Sequence, residues 1–266
     1  MLSFNNLLLN NLIDDWINTH TIGGIPLKKV TDDNEAVTEY GSFSVLPNDF
    51  IGDIMLRGEH FEKECIKHLL PLISVGDIIL DIGANIGCYA VPFAQKGGRV
   101  YAFEPQQKIY DLLVKNVEKY PNITAVHSAM GHKITMTTLN GLNDMNLPLD
   151  YNSKDIVNLG GLNLGLNGEE VLMLTIDSYC KNMNVRMIKI DVEGAEKLVI
   201  IGGLETIKRC RPIIFYESNF KQITDEMVMM FHLTKFEYFF DIMHYLKETL
   251  HYTQIIKIKD NFLCIP

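Results

Sequence analysis

No two cysteines of the sequence stand at C-x-x-C spacing and no two histidines at H-x-x-x-H. No stretch approaches the roughly 20 consecutive apolar residues that a membrane-spanning helix needs. The first two absences leave zinc without its usual ligands, and the third predicts a soluble protein with no membrane partner. The opening MLSFNNLLLNNLIDDW has no basic leading region and no small-residue cleavage site, so it reads as an amphipathic lead-in helix and not a signal. The five cysteines, at 65, 88, 180, 210 and 264, are odd in number and come without an export signal; reduced thiols and a cytoplasmic location are expected, and the sequon at Asn122 is read as unglycosylated. Clusters of Lys and Arg are missing too. The 24 basic residues are scattered and the formal net charge is -9, which argues against nucleic acid and for a small or weakly charged substrate. At 266 residues, 47% of them hydrophobic, the composition fits one large globular unit with a real core.

From about residue 76, apolar runs of strand length alternate with helical spacing. DIILDI, RVYAFE, ITAVHS, VRMIKID and RPIIFYE read as five strands; GCYAVPFAQKG, QQKIYDLLVKNVEKY and GAEKLVIIGGLETIKRC read as helices between them. That is an α/β, doubly wound pattern with a mostly parallel sheet. The tail FEYFFDI…HYTQIIKIKDNFLCI is expected to add two strands, one from each run, as an antiparallel pair. Residues 1–65 are expected to form an N-terminal cap over the carboxyl edge of the sheet, and 66–266 one compact unit. NLGGLNLGLNG, residues 158–168, reads as a flexible loop and not a packed element.

The first strand ends on Asp81 and turns through Gly83, Asn85 and Gly87. In an open parallel sheet the ligand lies outside the carboxyl ends of the strands, where this turn falls. A dinucleotide fingerprint needs glycine at the position of Asn85, so that the backbone can approach a pyrophosphate. Glu104 ends the second strand at about the spacing expected for an acid that binds ribose hydroxyls. A cofactor with a ribose and no pyrophosphate satisfies both observations, and S-adenosylmethionine is one.

DIGANIGCYA, VYAFEPQ and IKIDVEGAE together resemble the FkbM-type methyltransferases, with further likeness in LPNDFIGDIMLRGEHFE, NLGG, LTIDSY and PIIFYES, over residues 41–217. The resemblance implies a Rossmann-like class I fold with a seven-stranded, mostly parallel sheet and helices on both faces. It implies methyl transfer from S-adenosylmethionine to a hydroxyl of a sugar, glycan or natural product. It also assigns cofactor binding: Asp81, Gly83, Ala84, Asn85 and Gly87 at the methionine end, Glu104 with Pro105 at the ribose, and His127, Ser128 and Ala129 beside the adenine. Glu62 matches a family acid, and Asp191 stands where cofactor and acceptor meet.

Methyl transfer to oxygen requires a positioned hydroxyl and a base for its proton. Asp191, ending the fourth strand, is the best-placed base; Lys189 shares its strand face, and Glu217 ends the fifth strand. Asp191 could instead cap a helix starting near Val192, and Glu193 and Glu196 could simply favour that helix's positive end. Asp191 and Glu217 lack a clear third oxygen ligand, so no metal is expected. Two rival classes are an RNA or protein methyltransferase and a non-catalytic scaffold. Base- or amide-nitrogen enzymes tend to carry an Asp-Pro-Pro-Tyr-like segment where this chain has DVEG, and the intact Asp81, Glu104 and Asp191 speak against a scaffold.

Overall fold

The computed structural model describes residues 34–140, 158–162, 164–165, 167–218 and 225–266; the lead-in helix expected over the first residues lies outside them. The described chain opens with an antiparallel hairpin, β1 (Asn34–Thr38) and β2 (Gly41–Val45), followed by helices α1 (Phe50–Leu56) and α2 (Lys63–Leu69). Alternation along the hairpin turns Ala36, Phe43 and Val45 inward, onto Ile51, Met55, Ile66 and Leu69 of the two helices. Asp49 caps α1 by accepting the Gly52 N–H at 3.0 Å.

Next come β3 (Ile78–Ile82), α3 (Ala90–Gln95), β4 (Arg99–Glu104), α4 (Gln107–Val117) and β5 (Ile123–His127). A small sheet of β6 (Ala129–Met130), β7 (Thr135–Asn140) and β8 (Asn167–Leu174) interrupts the alternation, in the order β6-β8-β7. The chain returns through α5 (Ile176–Tyr179), β9 (Val185–Ile190), α6 (Glu196–Ile201), α7 (Leu204–Cys210) and β10 (Ile213–Glu217). It finishes with α8 (Asp225–Phe231), α9 (Lys235–Phe239), α10 (Ile242–His244, continued by a π-helical turn), and the hairpin β11 (Gln254–Ile258) and β12 (Asn261–Ile265).

The main sheet has seven strands in the order β11-β12-β10-β9-β3-β4-β5, with β3, β4, β5, β9 and β10 parallel and the last hairpin antiparallel. This is the α/β, Rossmann-like arrangement that the sequence predicts. Helices cover both faces, which is why the central strands are nearly apolar throughout. Period-two alternation sorts their side chains: Ile79, Ala102, Met187 and Phe215 face α3, α4 and the N-terminal hairpin, while Leu80, Phe103, Ile188 and Ile214 face α6 and α7. By the same parity Asp81, Glu104, Lys189 and Glu217 belong to the α3/α4 face, at or near the carboxyl ends of their strands. The chain reverses its direction of strand addition between β3 and β9, so these residues gather at the switch point.

Three local expectations need correction. FEYFF is α9 and not a strand: Thr234 and Glu237 form a reciprocal capping box, and Phe236 meets Phe240 edge-to-face one turn on. Both tail strands come from the last run, folded back at Lys259-Asp260. The helix expected over GAEKLVIIGGLETIKRC is two helices broken at Gly202-Gly203, where a Cβ on Gly202 would collide with the Gly131 carbonyl. Finally, the described part of NLGGLNLGLNG is packed. Leu159 is buried and donates its N–H to Asp49 Oδ1 at 3.0 Å, Leu164 bridges to Leu139, and Asn167-Gly168 begin β8.

Candidate active site

The turn after β3 is held by its neighbour strand, because the N–H groups of Gly83 and Ala84 both donate to the Phe103 carbonyl at 3.0 and 2.9 Å. Gly83 has φ +74, and a Cβ there would strike the Asp191 carbonyl; glycine lets the ends of β3 and β9 touch. Asn85 takes φ +50, the left-handed region that asparagine tolerates, and turns its N–H onto Glu104 Oε2 at 2.9 Å. Glu104 Oε1 accepts the Gln106 N–H at 3.0 Å. Burial pushes the Glu104 carboxyl up to about 7 against these two bonds.

Beneath the turn lies a charge cluster. Asp81 and Lys189 are register partners across β3 and β9, and both are almost wholly buried. Lys189 Nζ donates to the Gly83 carbonyl at 2.7 Å, lies 3.3 Å from Asp81 Oδ1 and 3.6 Å from Asp191 Oδ2, and sits 5.2 Å from the centre of the Tyr89 ring. Burial alone would lower the lysine; Asp81 and Asp191 outweigh it and hold the ammonium above its ordinary value. The Tyr89 hydroxyl donates to Glu62 Oε2 at 2.5 Å. Two residues before Glu62, His60 Nε2 donates to the Cys88 carbonyl at 2.8 Å.

A cleft in two connected halves opens above this cluster, and Gly83, Glu104, Gly160, Asp191 and Glu193 border both. The larger half, about 850 Å³, takes in Glu62, Ala84, Asn85, Lys189 and Glu217. The smaller, about 530 Å³, takes in Pro105, Ser128 and Ala129 against apolar walls from Leu139, Leu162, Leu164 and Val192. Three residues named from the sequence stand back from it. Asp81 lies under the floor, Gly87 packs against Leu113 and Val117, and His127 stacks on Tyr110 with its Nε2 donating to the Pro105 carbonyl at 2.8 Å. Asp191 does not cap α6. That helix starts five residues later, and Glu196 Oε1 accepts the N–H groups of Val192 and Gly194, both at 3.1 Å.

Glu217 borders the cleft with Asp191, and burial together with the nearby Asp191 and Glu193 pushes its carboxyl up to about 8. Sequence reading missed Tyr89, Phe50, Phe61 and the apolar walls. The first was visible inside GCYA; Leu139 lies in β7, and Leu164 reaches it only through an isolated bridge outside the strands.

Residues 81–251, well over half of the chain, match the family described as the methyltransferase FkbM domain. The chain belongs to the FkbM methyltransferase family. A hexuronic acid methyltransferase of Haloferax volcanii is 27% identical over 164 residues, covering 60% of this chain and 62% of that protein. A ribosomal RNA small subunit methyltransferase A of Thermotoga maritima is 27% identical over 73 residues, covering 27% of this chain and 25% of that protein. This chain therefore spans less than two thirds of either relative. A solved methyltransferase FkbM from Methylobacillus flagellatus superposes with a TM-score of 0.40 at 16% identity, over 59% of this chain and 36% of that one.

S-adenosylmethionine is the cofactor that belongs with this family, and the cleft fits it. Ser128 Oγ is wholly buried, faces the smaller half and has no hydrogen-bond partner within the described protein. An orphaned donor of that kind in an apolar slot calls for a ligand with acceptors, such as a purine. Glu104, though bonded to two N–H groups, keeps further acceptor capacity for a ribose.

Replacing Lys189 by Met leaves Asp81 buried without its cation, and a loss of about 3–5 kcal/mol in urea unfolding is expected. Adding Asp81→Asn should recover part of that loss; no recovery would mean that the pair is not coupled. The raised Glu217 carboxyl carries a pH signature. The folded state binds its proton more tightly than the unfolded state does, so stability falls as pH rises through that range. Glu104 and Glu196, both pushed to about 7 by burial, complete most of their change lower down. Between pH 7 and 8 the melting temperature should fall, and Glu217→Gln should flatten that slope.

Proposed function

We propose that the protein is an O-methyltransferase acting on a sugar hydroxyl. The observation that carries this reading is the placing of Asp191 and Glu217 together on the cleft wall, with the Lys189 ammonium 3.6 Å from the Asp191 carboxylate. When bound, S-adenosylmethionine supplies an electrophilic methyl group on a positively charged sulfur. Glu104 would hold its ribose, Ser128 and Ala129 its adenine, and Gly83, Ala84 and Asn85 its methionine end. Asp191 takes the proton from the acceptor hydroxyl, and Glu217, its carboxyl pushed up to about 8, stands with it on the cleft wall. Lys189 fixes Asp191 and stays protonated, so it positions the base and does not act as one. The apolar walls and the 158–162 segment exclude water from the transfer.

A hydroxyl acceptor must lose its proton as it takes the methyl group, and Asp191 can receive that proton. The hexuronic acid methyltransferase of Haloferax volcanii lends the sugar class its support. The net charge of -9 disfavours RNA, and the ribosomal RNA relatives match only about a quarter of the chain. Among the described residues no group of three His, Cys, Asp or Glu side chains is arranged to hold a metal.

Asp191→Asn is expected to lower turnover about 100-fold or more while cofactor affinity stays put. Glu104→Ala should do the reverse, weakening S-adenosylmethionine by about 1.5–3 kcal/mol in calorimetry. If Asp191→Asn turns over normally, the base lies elsewhere. Activity on RNA that collapses steeply with salt would replace the sugar reading with a nucleic-acid one.

A further inference from the structure

Tyr89 joins the turn after β3 to the segment that enters α2. Its side chain is buried against Phe93 and Phe215, with ring centroids 5.6 and 6.1 Å away, and borders the larger half of the cleft beside Ala84 and Asn85. The Lys189 ammonium lies over the ring. Burial and the Glu62 carboxylate keep the phenol well above its ordinary pKa, so tyrosine is the donor to Glu62 Oε2 and glutamate the acceptor.

Glu62 itself is held in an uncommon posture. It stands just before α2, where a side chain ordinarily bonds the helix's own N–H groups, and its carboxylate caps none of them. Its φ of +51 lies in the left-handed region, a conformation that strains a residue other than glycine and that gathers at ligand sites. The cap is forgone and the backbone strained, and the carboxylate is fixed by Tyr89 at the border of the cleft.

The methionine end of S-adenosylmethionine is a zwitterion, and its ammonium calls for a fixed acceptor of negative charge. Glu104 is given to the ribose, and Asp191, Glu193 and Glu217 follow β9 and β10; Glu62 is the acid bonded to the helical end of the turn that takes the methionine. A carboxylate that accepts one phenol keeps lone pairs on both oxygens, and a side chain already immobilised loses little freedom when a ligand binds.

We propose that Tyr89 is a positioning residue for the cofactor: its hydroxyl fixes Glu62, and Glu62 receives the methionine ammonium. The inference rests on the placing of the methionine end at Gly83, Ala84 and Asn85 and is independent of the acceptor.

The test measures by calorimetry, on the full chain, the Kd of S-adenosylhomocysteine and of its deamino analogue. Both ligands carry the same carboxylate, so the difference between them reads the ammonium alone. The parent chain should bind the analogue about tenfold or more weakly, as for a lost charged hydrogen bond. Tyr89→Phe keeps the ring and removes the hydroxyl; the Kd of S-adenosylhomocysteine should rise about fivefold, the cost of immobilising one side chain on binding, while that of the analogue stays put. Glu62→Gln should likewise weaken S-adenosylhomocysteine alone, and adding Tyr89→Phe to it should cost little more. Equal weakening of both ligands by either substitution, or an analogue that binds the parent as tightly as S-adenosylhomocysteine, overturns the ammonium contact and leaves the cofactor reading standing. Losses that add in the double variant overturn the action of Tyr89 through Glu62. A parent chain that binds neither ligand sinks the cofactor reading and the proposal with it.

Discussion

A lysine ammonium buried beside two carboxylates sets the conditions for the rest of this structure. Lys189 could not stay charged in the sheet without Asp81 across the β3–β9 pairing, and Asp81 could not stay buried without Lys189. Their mutual need holds the two strands that flank the switch point in one register. The same ammonium donates to the Gly83 carbonyl and reaches Asp191, so it ties the first turn to the end of β9. The close approach of those two chain segments, which only glycine at 83 permits, follows from the same constraint.

From that anchor the acids at the strand ends acquire different duties. Glu104 is half occupied by the turn it supports, and Glu196 is wholly given to backbone N–H groups, so its burial belongs to architecture. Asp191 and Glu217 remain on the cleft wall. Glu104 and Glu196 thus serve backbone N–H groups, whereas Asp191 and Glu217 border the cleft. A count of acids in the sequence would not separate them.

The five parallel strands were legible because strands covered on both faces are apolar from end to end, and the polar residues interrupting them mark where the sheet meets a ligand. Asp81, Glu104, Lys189 and Glu217 stand out for that reason. Asp191 was legible as an acid at a strand end, but its freedom from capping duty was not, because the helix after it starts late and Glu196 serves the intervening N–H groups. FEYFF carried strand-forming aromatics, and the capping box three residues apart outweighed them. The contacts that shape the cleft, Glu62 with Tyr89 and Asp49 with Leu159, join residues 27 and 110 positions apart, beyond the reach of any local pattern.

The last hairpin also sets an order in time. In the finished sheet β12 lies against β10, with Glu217 opposite Asn261. On the ribosome β10 emerges more than forty residues ahead of that partner. Until Asn261–Ile265 are made, β10 is a bare edge, open to pairing with other chains. Asp81, Glu104 and Lys189 come from strands that can pair earlier, whereas the position of Glu217 is fixed only when the final strand docks. A nascent chain can therefore bring Asp81, Glu104 and Lys189 together before it secures Glu217.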